Sequence, residues 1–213
     1  MEIHPNLLAY DNVEQLENFT EETFNRYCTE KLKLTSKHVS FIQRNCINFS
    51  WHGKVCEIGS GNSKLLYSLE NEKLLREGIG IEISKSRFEF AEKFKIYAKS
   101  QTVTNLNEDI LKIVKSSFDN FDLIIGVDIV LQLISPITKT AEKDILSWVF
   151  NSLKPKGFLI LELWDFEHIL KQLDLIKDNL QMWEEFSQND PFQFLLSQIN
   201  LNEEKNIFKE RFY

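Results

Sequence analysis

Residues Val55, Cys56, Glu57, Ile58, Gly59, Ser60, Gly61, Asn62 and Ser63 form an apolar run that breaks on two closely spaced glycines. A helical pattern follows. A strand, a glycine turn and a helix start let a backbone approach a ligand closely and offer it free N–H groups. Glu57 stands two residues before Gly59. Glu82 closes a second apolar run and lies 21 residues beyond Gly61. That is near the separation of about 20 at which a carboxylate takes ribose hydroxyls. A third acid, Asp109, follows a third strand candidate. Each acid alone could be an ordinary charge at a strand end. Together, at these spacings, they predict a site for a ribose-bearing ligand.

The elements that must position these residues alternate. Strand candidates are 54–58, 78–83, 102–106, 121–127 and 158–163. Helical spacing covers 62–77, with Leu65, Leu66, Leu69, Leu74 and Leu75 apolar, and 84–100, with Ser84 as its cap. On the second helix Phe88, Ala91, Phe94, Ile96 and Ala98 are the expected inner residues. A further helix over 140–153 stops before Pro155 and Gly157, and another runs over 168–179. Near-continuous apolar strands separated by helices indicate a parallel sheet covered on both faces. All seven glycines lie between residues 53 and 157, so the flanks are built differently. Residues 13–49 read as helical, with Phe24, Tyr27, Leu32, Val39, Phe41 and Ile42 apolar. Residues 192–198 and 206–212 read as an antiparallel hairpin. The expected fold is α/β and doubly wound. Its mostly parallel seven-stranded sheet ends in that hairpin. Residues 1–50 are the expected helical cap or lid, and 51–213 the ligand-binding domain, in one compact unit.

The run Glu57-Ile58-Gly59-Ser60-Gly61-Asn62-Ser63 resembles the first motif of the class I S-adenosylmethionine-dependent methyltransferases, acid-x-Gly-x-Gly-x-Gly. Ser63 stands where the motif has its last glycine. At motif level the resemblance covers roughly residues 50–165. It implies S-adenosylmethionine as cofactor, with Gly59, Ser60 and Gly61 at its methionine end. It implies Glu82, with Ile83 beside it, at the ribose. It implies Asp109 at the adenine amino group, Ile110 beside the ring, and Asp128 closing the site near the methionine. The competing nicotinamide-binding pattern wants Gly or Ala at the third position of Gly-x-Gly-x-x-Gly. Lys64 occupies that position, and Glu57 has no role in that scheme.

Methyl transfer from a sulfonium is an in-line displacement that depends mainly on positioning and desolvation. A base is needed only for a neutral hydroxyl or a protonated amine. Past the fourth strand the run Gly126 to Leu133 contains no histidine, and no Asn/Asp-Pro-Pro-Tyr/Phe motif of base-amine methylation. Past the fifth strand, Asp165 and His168 are three apart and share a face if helical. They are the candidate catalytic bases. An N-cap role for Asp165 and a surface role for His168 compete with this reading.

The tail resembles the ending of bacterial methyltransferases that tailor sugars and cell-surface polysaccharides. The resemblance rests on Trp183-Glu184-Glu185-Phe186 and Asp190-Pro191-Phe192. It implies a small-molecule acceptor, an oxygen of a sugar, phosphate or phosphoramidate group in capsule biosynthesis. An anionic oxygen would need no base. A protein- or RNA-directed methyltransferase and a non-catalytic cofactor-binding partner subunit are the alternatives.

Composition narrows these. Lys and Arg number 25 against 32 Asp and Glu, a formal charge of −7. Such a chain is a poor general ligand for nucleic-acid phosphates. Lys31, Lys33 and Lys37 read as a solvated helix face. Cys28, Cys46 and Cys56 are scattered and histidines are few, so no metal site is expected. No apolar run approaches the ~20 residues of a membrane span. With no signal-peptide pattern at residue 1, a cytoplasmic enzyme is expected, and a homodimer is allowed.

Overall fold

In a computed structural model of the chain, the described residues are 14–46, 52–113, 120–127, 148–149, 151–162 and 206–210. Six described strands form one sheet: β1 (Gly53–Ile58), β2 (Leu75–Glu82), β3 (Val103–Asn107), β4 (Phe121–Val127), β5 (Leu153–Glu162) and β6 (Asn206–Glu210). Their order is β3-β2-β1-β4-β5-β6, and every neighbouring pair is parallel. The chain moves outward from β1 to β3 on one side, then returns to pair β4 on the other. The C-terminal ends of β1 and β4 therefore flank the switch point, where an open α/β sheet leaves a crevice for ligand. Helices α3 (Lys64–Asn71), α4 (Lys85–Ala98) and the short α5 (Ile110–Ile113) connect the strands. This is the expected α/β Rossmann-like arrangement. Of the expected hairpin, 206–210 is present as β6 and pairs in parallel with β5. Its other arm, 192–198, lies outside the described residues, as does the helix expected over 168–179.

The N-terminal flank is helical: a 3-10 turn (Leu16–Asn18), then α1 (Glu21–Leu34) and α2 (Ser36–Asn45). Thr20 caps α1 by accepting the Thr23 N–H at 3.3 Å. Acids Glu21 and Glu22 sit at its N-terminus and Lys31 and Lys33 at its C-terminus, each matching the helix dipole. Between the helices the Thr35 hydroxyl lies 2.6 Å from the Leu32 carbonyl and 2.6 Å from Ser68 Oγ on α3. That contact ties the α1–α2 corner to α3. Phe24, Val39, Phe41 and Ile42 are buried as expected, in one core with Leu65, Leu66, Tyr67, Leu69, Phe90 and Phe94. Phe90 is ringed by Phe19, Phe24 and Tyr27 at centroid distances of 5.1–5.4 Å. No helix among the described residues is long and apolar enough to cross a membrane.

Three local expectations are corrected. The first helix ends at Asn71, and Leu75 belongs to β2. The stop is a Schellman turn: the Leu74 N–H bonds the Leu69 carbonyl at 2.8 Å and the Lys73 N–H bonds that of Glu70 at 2.9 Å. Lys73 takes the left-handed conformation (φ 58°) that glycine usually supplies, so no glycine announced it. On α4, Phe90 is inward and Ile96 is 78% exposed. Leu153 lies in the sheet, opposite Phe121, and not in the preceding helix. The ladder then skips to Phe158 opposite Leu123, so Lys154 to Gly157 bulge between two paired stretches.

Candidate functional site

The loop after β1 is wound by three left-handed residues in alternation: Gly59 (φ 66°), Gly61 (φ 55°) and Ser63 (φ 55°). The Ser60 N–H bonds the Ile81 carbonyl at 3.0 Å, and the Ser63 N–H bonds the Ser60 carbonyl at 2.8 Å. The first bond seats the loop on β2 and the second closes the turn on itself. Ser63, in the position of the motif's last glycine, keeps glycine's backbone conformation. A side chain there costs about 1 kcal/mol of steric strain. Its hydroxyl offsets that cost by donating to Asn105 Oδ1 at 2.7 Å, within the protein interior. Asn105 in turn donates to the Tyr67 hydroxyl (2.8 Å) and Glu92 Oε1 (2.7 Å), and Tyr67 donates to the Ala91 carbonyl (2.7 Å). Burial pushes the Tyr67 phenol above its ordinary range, so it stays a neutral donor. Beneath the loop runs Gly80. A Cβ there would lie 2.8 Å from both Ser60 Oγ and Ser63 Oγ.

Glu82 ends β2 on the same edge. Only 5% of it is exposed. Its Oε2 accepts the Gly61 N–H at 2.7 Å and its Oε1 the Ser84 N–H at 2.8 Å. Both carboxylate oxygens are thus aimed by backbone donors from the glycine loop and from the first turn of α4. Asn107, opposite Glu82 in the ladder, holds the strand end by donating to the carbonyls of Glu82 (3.0 Å) and Ile83 (3.1 Å). Ile83 is 43% exposed, an apolar surface beside a polar lip. Asp109 and Ile110 follow β3 by two and three residues and are half-buried. The Asp109 carbonyl accepts from Lys112 and Ile113 at 2.9 and 3.3 Å, starting α5. Glu57 is buried in β1, between Gly80 of β2 and Ile125 of β4.

The structure therefore collects Gly59, Ser60, Gly61, Glu82 and Ile83 at one strand edge, with Asp109 and Ile110 at the neighbouring strand's end. Asp128, Asp165 and His168 lie outside the described residues. Sequence reasoning missed Glu14, Asn62, Asn105 and Arg87. Glu14 Oε1 accepts from Asn62 Nδ2 at 2.7 Å and from the Tyr27 hydroxyl at 2.5 Å. Arg87 reaches Glu14 at 3.5 Å and Glu82 at 3.9 Å. No local pattern links residues so far apart, although Arg87 lies one turn into a helix whose cap, Ser84, was legible.

The donor set fits an adenosine-bearing ligand. An aimed carboxylate at a strand end suits vicinal hydroxyls, the exposed Ile83 suits a flat ring, and the glycine loop admits close backbone approach. Among the described residues no group of three His, Cys, Asp or Glu side chains could hold a metal.

The family described as methyltransferase domain matches residues 50–211. No protein of curated function matches the chain. Among solved structures it is similar to PKMT2 from Rickettsia typhi in complex with AdoHcy, at 26% identity over 50% of this chain and 19% of that one, TM-score 0.43. It is also similar to an S-adenosylmethionine-dependent methyltransferase from Clostridium acetobutylicum ATCC 824, at 19% identity over 56% of this chain and 46% of that one, TM-score 0.47. PH0226 from Pyrococcus horikoshii OT3 shares 22% identity over 65% of this chain and 62% of its own, TM-score 0.49. The chain spans less than two thirds of each of these proteins.

Proposed function

The chain belongs to the methyltransferase domain family, and from that premise we propose that it is an S-adenosylmethionine-dependent methyltransferase acting on a small-molecule acceptor. The observation that carries this reading is the Glu82 carboxylate, held 2.7 Å from the Gly61 N–H at the mouth of a left-handed glycine loop. When bound, S-adenosylmethionine supplies an electrophilic methyl group on a sulfonium. Everything else falls to the chain's own groups.

In this reading Glu82 accepts the ribose hydroxyls with an already aimed carboxylate, so little reorganisation is needed on binding. Gly59, Ser60 and Gly61 give the methionine end a tight backbone turn, wound by the positive φ of both glycines. Ile83 and Ile110 flank the adenine and Asp109 accepts from its amino group. Glu57, buried near the end of β1, is a further cofactor-binding residue in this reading, and Asp128 closes the methionine side. In this reading residues 1–50 are the cap or lid and 51–213 the cofactor-binding methyltransferase domain.

The acceptor we favour is an oxygen of a sugar, phosphate or phosphoramidate group of a capsule precursor, supported by the tail sequence around Trp183 and Asp190. Asp165 and His168 are the proposed proton acceptors for a neutral hydroxyl. A neutral hydroxyl must lose its proton as the bond to carbon forms, which a positioned base assists about 10²–10⁴-fold. An anionic oxygen would need only alignment.

Calorimetric titration with S-adenosylhomocysteine tests the reading. Wild type is expected to bind in the micromolar range, and Glu82→Ala at least about tenfold more weakly, as for a charged hydrogen-bond acceptor removed from a buried site. Absence of binding to wild type at millimolar ligand overturns it. Loss of turnover in Asp165→Ala or His168→Ala on a hydroxyl acceptor, with unchanged cofactor affinity, is the expected sign of a base.

A further inference from the structure

Glu14 is the most deeply buried acid in the described N-terminal flank, at 2% exposure, yet it precedes the first helix and lies 48 residues before Asn62. A carboxylate in that setting is costly unless it is fully paired. Its partners all belong to the apparatus around the glycine loop. Asn62 is part of the loop itself. Tyr27 brings in α1, and its hydroxyl is kept protonated by burial and by its bond to Glu14. Arg87 comes from the first turn of α4, and its guanidinium also lies 3.9 Å from Glu82 Oε2, the oxygen that accepts the Gly61 N–H. The same guanidinium lies over Gly61: a Cβ built there would collide with it, 2.7 Å from Cζ. Gly61 is thus required twice, by its φ of 55° and by Arg87 above it.

We propose that Glu14 and Arg87 are positioning residues for the cofactor, a relay that aims the Glu82 carboxylate at the ribose and holds the Gly61–Ser63 turn from the N-terminal flank. Glu14 fixes Arg87 and Asn62 together. Arg87 restrains one oxygen of Glu82 and leaves the other to the Ser84 N–H. The N-terminal flank is then part of the cofactor site without touching the ligand. The inference rests on Glu82 being the ribose ligand.

The test separates the two claims. S-adenosylhomocysteine and its 2′,3′-dideoxy analogue are titrated into wild type, Glu82→Ala, Arg87→Met, Arg87→Lys and Glu14→Gln, with melting temperature recorded for each. Wild type is expected to prefer the hydroxylated ligand by tenfold or more, and Glu82→Ala to lose that preference. Arg87→Met and Glu14→Gln are expected to cut the preference about threefold or more, while affinity for the dideoxy analogue moves less than about twofold. Arg87→Lys keeps the charge without the fork and should retain part of the preference. General loosening of the fold would weaken both ligands alike. Glu14→Gln is isosteric and its amide oxygen can still accept from Tyr27 and Asn62, so it carries the test if Arg87→Met does not fold. A wild-type preference retained in whichever of Arg87→Met and Glu14→Gln folds, but abolished in Glu82→Ala, overturns the relay alone. A preference retained in Glu82→Ala, or absent in wild type, overturns the ribose reading and the relay with it.

Discussion

Ser63 shows how a residue that departs from a motif can still obey the motif's physics. The backbone requirement at this position is a left-handed turn, and the residue meets it at φ 55°. The hydroxyl then reaches Asn105, linking the loop to Tyr67, Glu92 and the next strand. A glycine here would relieve strain and lose that bond. Gly80 matters for the opposite reason, since its lack of a side chain makes room for both loop serines. Gly80→Ala would press a methyl group to 2.8 Å from each hydroxyl. Overpacking of this kind costs about 1–3 kcal/mol. Denaturant unfolding should show a loss in that range, together with weaker S-adenosylhomocysteine binding. An unchanged midpoint would mean that the loop has slack the distances deny.

At the scale of elements, the helices are held to the sheet by side chains that replace missing backbone partners. Glu70, at the end of α3, accepts the N–H groups of Gln101 and Thr102 at 2.8 and 2.9 Å, just where the chain enters β3. Burial would push its carboxyl up, but these two backbone bonds and the neighbouring Ser100 and Thr102 hydroxyls outweigh it and hold the carboxyl below its ordinary range. A depressed carboxyl stabilises the fold above its unfolded pKa and loses that contribution as pH falls through the folded value. Glu70→Ala should therefore lower stability at pH 7 by about 1 kcal/mol, a typical net hydrogen-bond contribution at a partly exposed site. The difference from wild type should shrink below pH 4. Unfolding curves at pH 7 and pH 3.5 check this, and an equal loss at both would assign the effect to packing.

For the whole molecule, the three described cysteines are all buried and free. Desolvation raises the thiols of Cys28 and Cys46 to about 12, and that of Cys56 further, from the ordinary 9. A thiol whose folded pKa is raised stabilises the fold below its unfolded pKa and loses that contribution as pH rises toward the folded one. Stability should fall between about pH 9 and pH 12, because the unfolded chain ionises first. A Cys28→Ala, Cys46→Ala double variant should have a flatter stability profile over that interval. Alkylation of the native protein at pH 8 should be slow, and rapid labelling would show that the thiols are open to solvent.

How much of this was legible beforehand follows from the range of the interactions. The parallel strands, the glycine loop, Glu57, Glu82 and the Ser84 cap depend on neighbours within a turn or on a fixed strand-to-strand spacing, and the sequence alone determined them. So did the family resemblance, carried by the same short motif. The inward turn of Phe90, the exposure of Ile96 and the placement of Leu75 in a strand were set by packing against other elements, where helical spacing left two faces open. Glu14 and Arg87 were invisible for a stronger reason. They lie 73 residues apart, and their pairing exists only because α1 is laid against α3 and α4. Tertiary structure alone decided that a buried charge in the N-terminal flank would reach the glycine loop, since burying a carboxylate there is tolerable only where Tyr27, Asn62 and Arg87 converge on it.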